Sequence, residues 1–454
     1  MSRERFAWLV SVLLLAILAF HLPGTLGQRD DEYSWVRTVV EIHREILDNY
    51  VDAVDDSALK KGAIDGMLGA LDDPYTVYVP PDNQAEFDKE LGGEFSGVGI
   101  SLRDEDGKMV VISPIDGGPA DRAGIDAGDL IIKVDGKSIE KMAIDDVVKL
   151  VSGPVGSSVV LTIDRQGKTI DFTLKRQQIS LPTVLGYSRN TDQTWNYWVS
   201  MNPKIAYVRV TQFDENTFDE MKQAFLGSDG HSGLISQGMQ GLILDLRFNP
   251  GGQLQQAIKV VNLFIKEGVI VKTVGRNSPE EIDRASPDAT TLPYFNMIAL
   301  VNDHSASAAE IVAGSLKDNH RALIVGMRTF GKGSVQRVIQ LGQDDGTLKM
   351  TVAHWYLPSG RLVSRTKGST DWGVEPQVIV ATDEDAEKGI EDLMERREAI
   401  RFHPTTFPST QPATMPSDPQ FQQALTTLVG MVILDENKLS ATTRVVAGAA
   451  TKPG

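Results

Sequence analysis

The sequence has no cysteine. Disulfide scaffolds, thiolate catalysis and cysteine-ligated zinc are therefore excluded, while the redox compartment stays open. Positive charge is in deficit: 45 Lys and Arg stand against 61 Asp and Glu, a net of -16. An acidic chain gains nothing from counterion release on a polyanion, so nucleic acid is not an expected partner. No G-x-S-x-G occurs, which removes the strand-turn-helix elbow that presents a serine nucleophile in one large class of hydrolases. Charged side chains are missing from Phe6 to Gln28. The strongly apolar part, Phe6 to Leu22, lies between the apolar core of a signal peptide and a full helical span of about 20 residues. Arg3 and Arg5 precede it and "RDDE" follows, an order that keeps the arginines cytoplasmic. We expect residues 1–28 to be a signal peptide, with cleavage after Gly27, or, preferred, a retained transmembrane anchor at residues 6–22. Either form exports the body to the periplasmic or cell-envelope side, and the anchor makes the inner membrane a partner.

What is present divides the 454 residues into several textures, as expected for two or three domains. Residues 29–91 read as a helical region: Trp35, Val39, Ile42, Ile46 and Leu47 recur at helical spacing, and "SALKKGAIDGMLGAL" reads as a second helix. "DDPYTVYVPPD" then reads as a turn and breaker segment. Residues 92–178 alternate short β-rich runs ("KMVVIS", "DLIIKVDG", "SVVLTIDR", "KTIDFTLKR") with two helical stretches. Opening with "FSGVGISL", this order resembles a PDZ domain. Residues 179–400 alternate buried strands ("GLILDLR", "MIALVN", "ALIVG") with amphipathic helices, the pattern of an α/β core. Residues 401–418 are Pro- and Thr-rich and read as a linker. Residues 419–436 read as one more helix, either packed on the core or a dimerisation element, and 437–454 as a disordered tail.

The chemistry concentrates in "VNDHSASAAEIVAG" and "RTFGKGSVQ". Taken alone, the first is a helix start rich in small residues and the second a glycine turn with a lysine. A serine hydroxyl needs a base to become a nucleophile. His304 adjoins Ser305, but neighbouring side chains of an extended segment point to opposite faces. Lys332 is the other base on offer, and one strand carries the chain from the serines to it. A lysine amine is protonated at neutral pH unless burial disfavours the ammonium.

Together, "NDHSASAAEIVAGSLKDNHRALIVGMRTFGKGSVQ" resembles the catalytic block of the C-terminal processing peptidases, also called tail-specific proteases. "YVDAVDDSALKKGAIDGMLGALDDPYTVYVPP", "GEFSGVGISL", "LDLRFNPGG", "YLPSGRLV" and "GVEPQVIV" resemble further segments of the family, so that the likeness spans about residues 33 to 435. The resemblance implies an α/β core of the crotonase-like (ClpP-like) type with an inserted PDZ domain. It places the nucleophile on Ser307, the general base on Lys332 and a supporting glutamine on Gln336. It places the oxyanion donors on the backbone N–H of Ala308 and of Gly251 or Gly252. Gly97, Val98, Gly99 and Ile100 become the loop that holds a substrate's terminal carboxylate while the peptide adds as a β-strand. Protein or peptide substrates bound by their C-terminal tails follow, with no metal and no cofactor. Glu310 reads as structural. The segment "VSRTKGSTDWGVEP" is longer than the family's usual loop. Two rivals are a non-catalytic peptide-binding scaffold and a serine hydrolase using His320 or His354.

Overall fold

The apolar runs do become buried strands, and the polar breaks become turns. The structure, a computed structural model, describes residues 34–84, 87, 94–105, 107–228, 230–288, 290–342, 345–399 and 417–449. The expected anchor or signal segment at 1–28 lies outside the described residues, as does nearly all of the expected linker. Among the described residues no helix is long and apolar enough to cross a membrane. The chain divides into two units, Met1–Tyr78 and Val79–Gly454.

The first unit holds α1 (Ser34–Asn49) and α2 (Asp56–Gly69). Asp55 caps α2 by accepting from the Ser57 N–H at 2.9 Å, which satisfies one of the orphan donors of the first turn. His43 Nε2 lies 2.5 Å from Asp56 Oδ1 and links the two helices. Within the expected breaker segment, Val77–Val79 is an extended strand.

The second unit begins with β1 (Glu94–Gly97), β2 (Ile100–Glu105), β3 (Lys108–Pro114), α3 (Pro119–Ala123), β4 (Leu130–Val134), α4 (Ile144–Val151), β5 (Ser158–Arg165), β6 (Lys168–Lys175) and β7 (Gln177–Ser180). β2 to β6 form one sheet, β2-β3-β4-β5-β6, with β2 at its edge. Val111, Ala120, Ile125, Val147, Leu161 and Ile163 form the domain's own core. β1 pairs with β7, so the entering and leaving strands close the domain against each other.

The larger core continues with β8 (Val184–Leu185), β9 (Trp198–Met201), β10 (Lys204–Val210), α5 (Thr217–Leu226), β11 (Gly241–Asp245), α6 (Leu254–Phe264), β12 (Val269–Gly275), β13 (Glu281–Arg284), β14 (Asn296–Val301), α7 (Ala308–Asp318), β15 (Leu323–Gly326), β16 (Ser334–Gln340), β17 (Thr347–Tyr356), β18 (Val378–Ile379), α8 (Glu384–Glu398) and α9 (Pro419–Ala449). Strands β10, β11, β14, β15 and β18 are parallel neighbours in that order. Both faces are covered, which is why β11 and β14 are buried at every residue and read as unbroken apolar runs. Alternation divides their side chains between two cores. Ala206, Val208, Leu242 and Leu244 face the layer containing α6 and α7. Ile205, Tyr207, Ile243 and Ile298 face Phe421, Ala424 and Leu428 of α9. The described part of the C-terminal helix is thus a layer of the core. A second sheet, β13-β12-β17-β16, is antiparallel throughout.

The C-terminal helix differs from expectation. It runs to Ala449, thirteen residues past the predicted end at 436 and through much of the tail read as disordered. The physical reason is local: from Met431 to Ala447 there is no glycine or proline to stop it. Two buried ion pairs tie the last helices to the sheet. Arg209 of β10 reaches Glu398 Oε1 at 2.6 Å. Arg247, 1 % exposed, meets Asp245 Oδ2 at 2.6 Å and Asp418 Oδ1 at 2.9 Å, and Gln420 Oε1 accepts from it at 3.1 Å. Burial opposes ionisation of Asp245, yet Arg247 overcomes it and holds that carboxyl below its ordinary value. Arg103 of β2 pairs with Asp392 at 2.6 Å and with Glu395, which joins the edge of the smaller sheet to α8.

Candidate active site

β14 ends at Val301, and the chain turns through Asn302–Ala306 into α7. The turn separates the two serines. Ser305 is fully buried, and its hydroxyl donates to the Leu246 carbonyl at 2.8 Å and accepts from the Asn302 N–H at 3.0 Å. It staples the turn to the strand before the "FNPGG" loop and is closed to substrate. Ser307 is half-buried at the N-cap of α7 with φ 53° and ψ -115°. A non-glycine residue with positive φ is strained by about 1–3 kcal/mol, and such strain persists only where surrounding contacts hold it.

The main such contact is Glu310, one turn into α7 and fully buried. Its Oε2 accepts from the Ser307 N–H and from the Lys332 N–H, each at 2.8 Å. Its Oε1 accepts from the Gly331 N–H at 2.8 Å and from Thr329 Oγ1 at 2.6 Å. One carboxylate therefore clamps the serine turn to the lysine loop. Burial raises its pKa above the ordinary glutamate value, while the four donors pull it back. The Ser-x-x-Glu spacing is a signal that could have found the half of this clamp within the helix, a capping box that the sequence reading of Glu310 as structural did not name. The half that reaches the lysine loop joins residues 22 apart and has no local signal.

From the other side, the long segment noted in the sequence supports the same loop. Arg365 donates its N–H to the Gly331 carbonyl at 2.8 Å. A Cβ on Gly331 would lie 2.9 Å from both Arg365 Cβ and Trp372 Cδ1, which explains the glycine beside the lysine.

These elements open on one cleft of about 420 Å³, lined among others by Ser307, Ala308, Gly252, Lys332 and Gln336. Ser307 comes from the start of α7, Lys332 from the loop before β16, and Gln336 from β16 itself. The Gln336 amide donates from Nε2 to Ser334 Oγ at 2.8 Å and to Thr351 Oγ1 at 3.2 Å. The two glycines separate clearly. The Gly251 N–H donates to Asn249 Oδ1 at 2.8 Å. Among the described residues the N–H groups of Gly252 and Ala308 have no hydrogen-bond partner, and both residues line the cleft. Gly251 has another duty: at φ 105° a Cβ there would sit 2.6 Å from Ser307 Cβ. Gly251→Ala is therefore expected to displace the serine and to lower kcat by about 10²-fold, since misplacement by an ångström costs that much. An unchanged kcat would show that the close approach is dispensable.

Among the described residues no histidine lines the cleft. His304 is exposed and stacks on Phe248 with 5.6 Å between ring centroids, and His320 and His354 are also exposed. The carboxylate-loop candidates gather at a second, smaller cavity of about 190 Å³. It is lined by Gly97, Val98, Gly99 and Ile100, with Val148 and Val151 of α4 opposite. The Val98 carbonyl accepts from the Ala120 N–H, and the Gly99 carbonyl from the Ile115 N–H, each at 2.9 Å. In a trans peptide the N–H opposes the carbonyl, so the N–H groups of Gly99 and Ile100 point away from these inward contacts.

Comparison with known proteins identifies the family. Residues 204–380 match the model of peptidase family S41, residues 110–165 that of the PDZ domain, and residues 25–83 that of the N-terminal domain of the activating protease CtpB. The carboxy-terminal processing protease CtpA of Bacillus subtilis is 35 % identical over 385 residues, covering 82 % of this chain and 76 % of that protein. A carboxy-terminal-processing protease of Bartonella bacilliformis is 37 % identical over 385 residues, covering 84 % and 83 %. Among solved structures, a photosystem II D1 C-terminal processing protease is 29 % identical, covers 80 % of this chain and 91 % of its own, and has a TM-score of 0.45. The class these features define is a serine-type protease with a PDZ domain that binds peptide substrates. The chain belongs to peptidase family S41, among its carboxy-terminal processing proteases.

Proposed function

We propose that the protein is a serine endopeptidase in which Ser307 and Lys332 form the catalytic dyad. Ser307 Oγ attacks the scissile carbonyl as its proton passes to Lys332 Nζ. The N–H groups of Gly252 and Ala308 hold the resulting oxyanion. Collapse expels the amine, which takes the proton back from Lys332, and leaves an ester on Ser307. Water, deprotonated by Lys332, hydrolyses the ester and frees the serine. Gln336 orients the neutral amine without stabilising its charge as a carboxylate would. The observation that carries this reading is the single cleft in which a strained serine, a lysine and two unpartnered N–H groups meet.

The proposal extends to selection. The groove between β2 and α4 takes the substrate's C-terminus, with Gly97 to Ile100 at its carboxylate, and the peptide adds to the edge of the sheet. The Arg103 contacts with α8 are the route by which that groove gates the core. The core is of the crotonase-like (ClpP-like) type. The chain is exported and anchored by residues 6–22, and it acts on exported proteins near their C-termini. A second copy packs on the C-terminal helix, where Ile433 and Leu434 are exposed.

The dyad is tested by Ser307→Ala, Lys332→Ala and His354→Ala assayed on one cleavable tail peptide. The first two are expected to lose about 10⁵-fold in kcat, with unchanged circular dichroism, and the third to stay active. Full activity in Ser307→Ala, or an active Lys332→Ala beside a dead His354→Ala, overturns the assignment.

A further inference from the structure

The cleft holds a second lysine that the proposed dyad does not use. Lys349 lies on β17, half-buried, and its side chain lines the same cavity as Ser307 and Lys332. Its strand position is fixed by register: Lys349 pairs with Val338, and Thr351 with Gln336. Residues 349 and 351 share one face of β17, and beyond the bulge that follows them Trp355 lines the cleft as well. Two residues along a strand span about 7 Å. Lys349 therefore sits about that distance beyond the Gln336 pair, farther along the cleft wall.

Among the described residues Lys349 has no acidic or hydrogen-bonding partner. Among the described residues the one carboxylate lining the cleft is Asp214, whose Oδ1 is turned to its own chain: it accepts from the N–H groups of Asn216 and Thr217 and from Thr217 Oγ1 at the start of α5. The remaining wall mixes the apolar Phe213, Leu254, Ile311 and Trp355 with uncharged polar groups such as Gln212 and Gln253. A ligand carboxylate that meets the Lys349 ammonium in this cleft forms a charge-assisted hydrogen bond.

We infer that Lys349 is a specificity residue that reads a carboxylate on the substrate, two to three residues from the scissile bond. This spacing takes the Gln336–Thr351 pair as level with the scissile bond and applies an extended peptide's rise of about 3.4 Å per residue. The inference rests on the proposed reading of the cleft as the proteolytic site. The carboxylate has two sources, an Asp or Glu side chain within the substrate or the free C-terminal carboxylate of a short tail. In the second case Lys349 measures how far from the chain end the cut falls.

The test is a cycle of enzyme variants against matched peptides. Wild type, Lys349→Met and Lys349→Glu are assayed on peptides that carry Glu or Gln at each of three positions either side of the cut. A second pair ends in a free acid or an amide. Contributions from the PDZ groove are common to all three enzymes and cancel in the ratio. In wild type the acidic member of one pair is expected to have a kcat/KM about tenfold above its neutral partner, mostly through KM. Lys349→Met brings that ratio to about one, and Lys349→Glu inverts it. The pair that responds identifies the source. The inference is overturned if the ratios are the same in wild type and Lys349→Met. It is also overturned if both members of every pair lose activity equally with a displaced pH–rate profile, which would assign Lys349 to tuning Lys332. Absence of Ser307-dependent cleavage of any peptide by wild type sinks instead the reading of the cleft itself.

Discussion

Replacing Glu310 by glutamine is expected to lower kcat by about 10²-fold or more while destabilising the fold by about 2–4 kcal/mol. The two isosteres differ in what they present to four donors. The carboxylate accepts two hydrogen bonds at each oxygen, from Ser307 and Lys332 on one side and from Gly331 and Thr329 on the other. A glutamine keeps one oxygen and turns an NH₂ toward the other two donors. Whichever way it flips, one pair of N–H or O–H groups is left unsatisfied in a buried site. If the NH₂ faces Ser307 and Lys332, the link between nucleophile turn and base loop opens directly. Steady-state kinetics with urea denaturation measure both effects. Wild-type kcat in the variant would show that the clamp does not position the dyad.

The same residue gives a pH signature. Burial raises the Glu310 pKa, so the folded state holds this proton to higher pH than the unfolded chain does. Its contribution to stability is therefore fully present below the unfolded value and lost as pH rises through the folded one. Activity runs the other way, because a protonated carboxyl sets an O–H against donors that need an acceptor. Stability and kcat should separate on the acid side, and Glu310→Gln should abolish that separation.

The second large effect is expected at the C-terminal helix. Asp418→Ala should cost about 3–5 kcal/mol, the loss usual when one partner of a buried ion pair is removed. Arg247 is 1 % exposed, and Asp418 accepts from both of its terminal nitrogens at 2.9 Å. Without that carboxylate the guanidinium keeps only Asp245 and Gln420, and water has no access to the rest. Arg247 also directly precedes the "FNPGG" segment, whose Gly251 closely approaches the nucleophile. The variant should therefore lose activity along with stability. Asp418→Asn, which keeps one acceptor oxygen, should fall between. Thermal unfolding of the three proteins ranks them, and equal midpoints would remove the ion pair from the account.

Much of this arrangement was legible in the sequence, and the boundary is physical. Strands β11, β14 and β15 announce themselves because burial on both faces makes them continuous apolar runs. Ser307, Lys332 and Gln336 were placed by resemblance, and they line one cleft. The choice between Gly251 and Gly252 was not legible. It turns on which N–H the Asn249 side chain occupies, a side-chain orientation with no sequence pattern. The pairing of Arg247 with Asp418 spans 171 residues, and only the folded sheet brings them together. Helix α8 and its contact with Arg103 went unread for the same reason. The C-terminal helix was seen, but its two fates, packing or pairing with another chain, carry the same amphipathic signature.

The two ion pairs at the chain's end have a further consequence. Residues 400–416 run between Glu398, fixed to Arg209, and Asp418, fixed to Arg247. Arg209 lies near the end of one strand, in register with Asp245 of its parallel neighbour, and Arg247 follows two residues past the end of that neighbour. The C-terminal helix is thus a tethered ligand of its own catalytic domain, bound at a site built from Ile205, Tyr207, Ile243 and Ile298. The last layer of the core is accordingly added from the far end of the sequence, and the strands beneath it wait on the end of the chain for their cover.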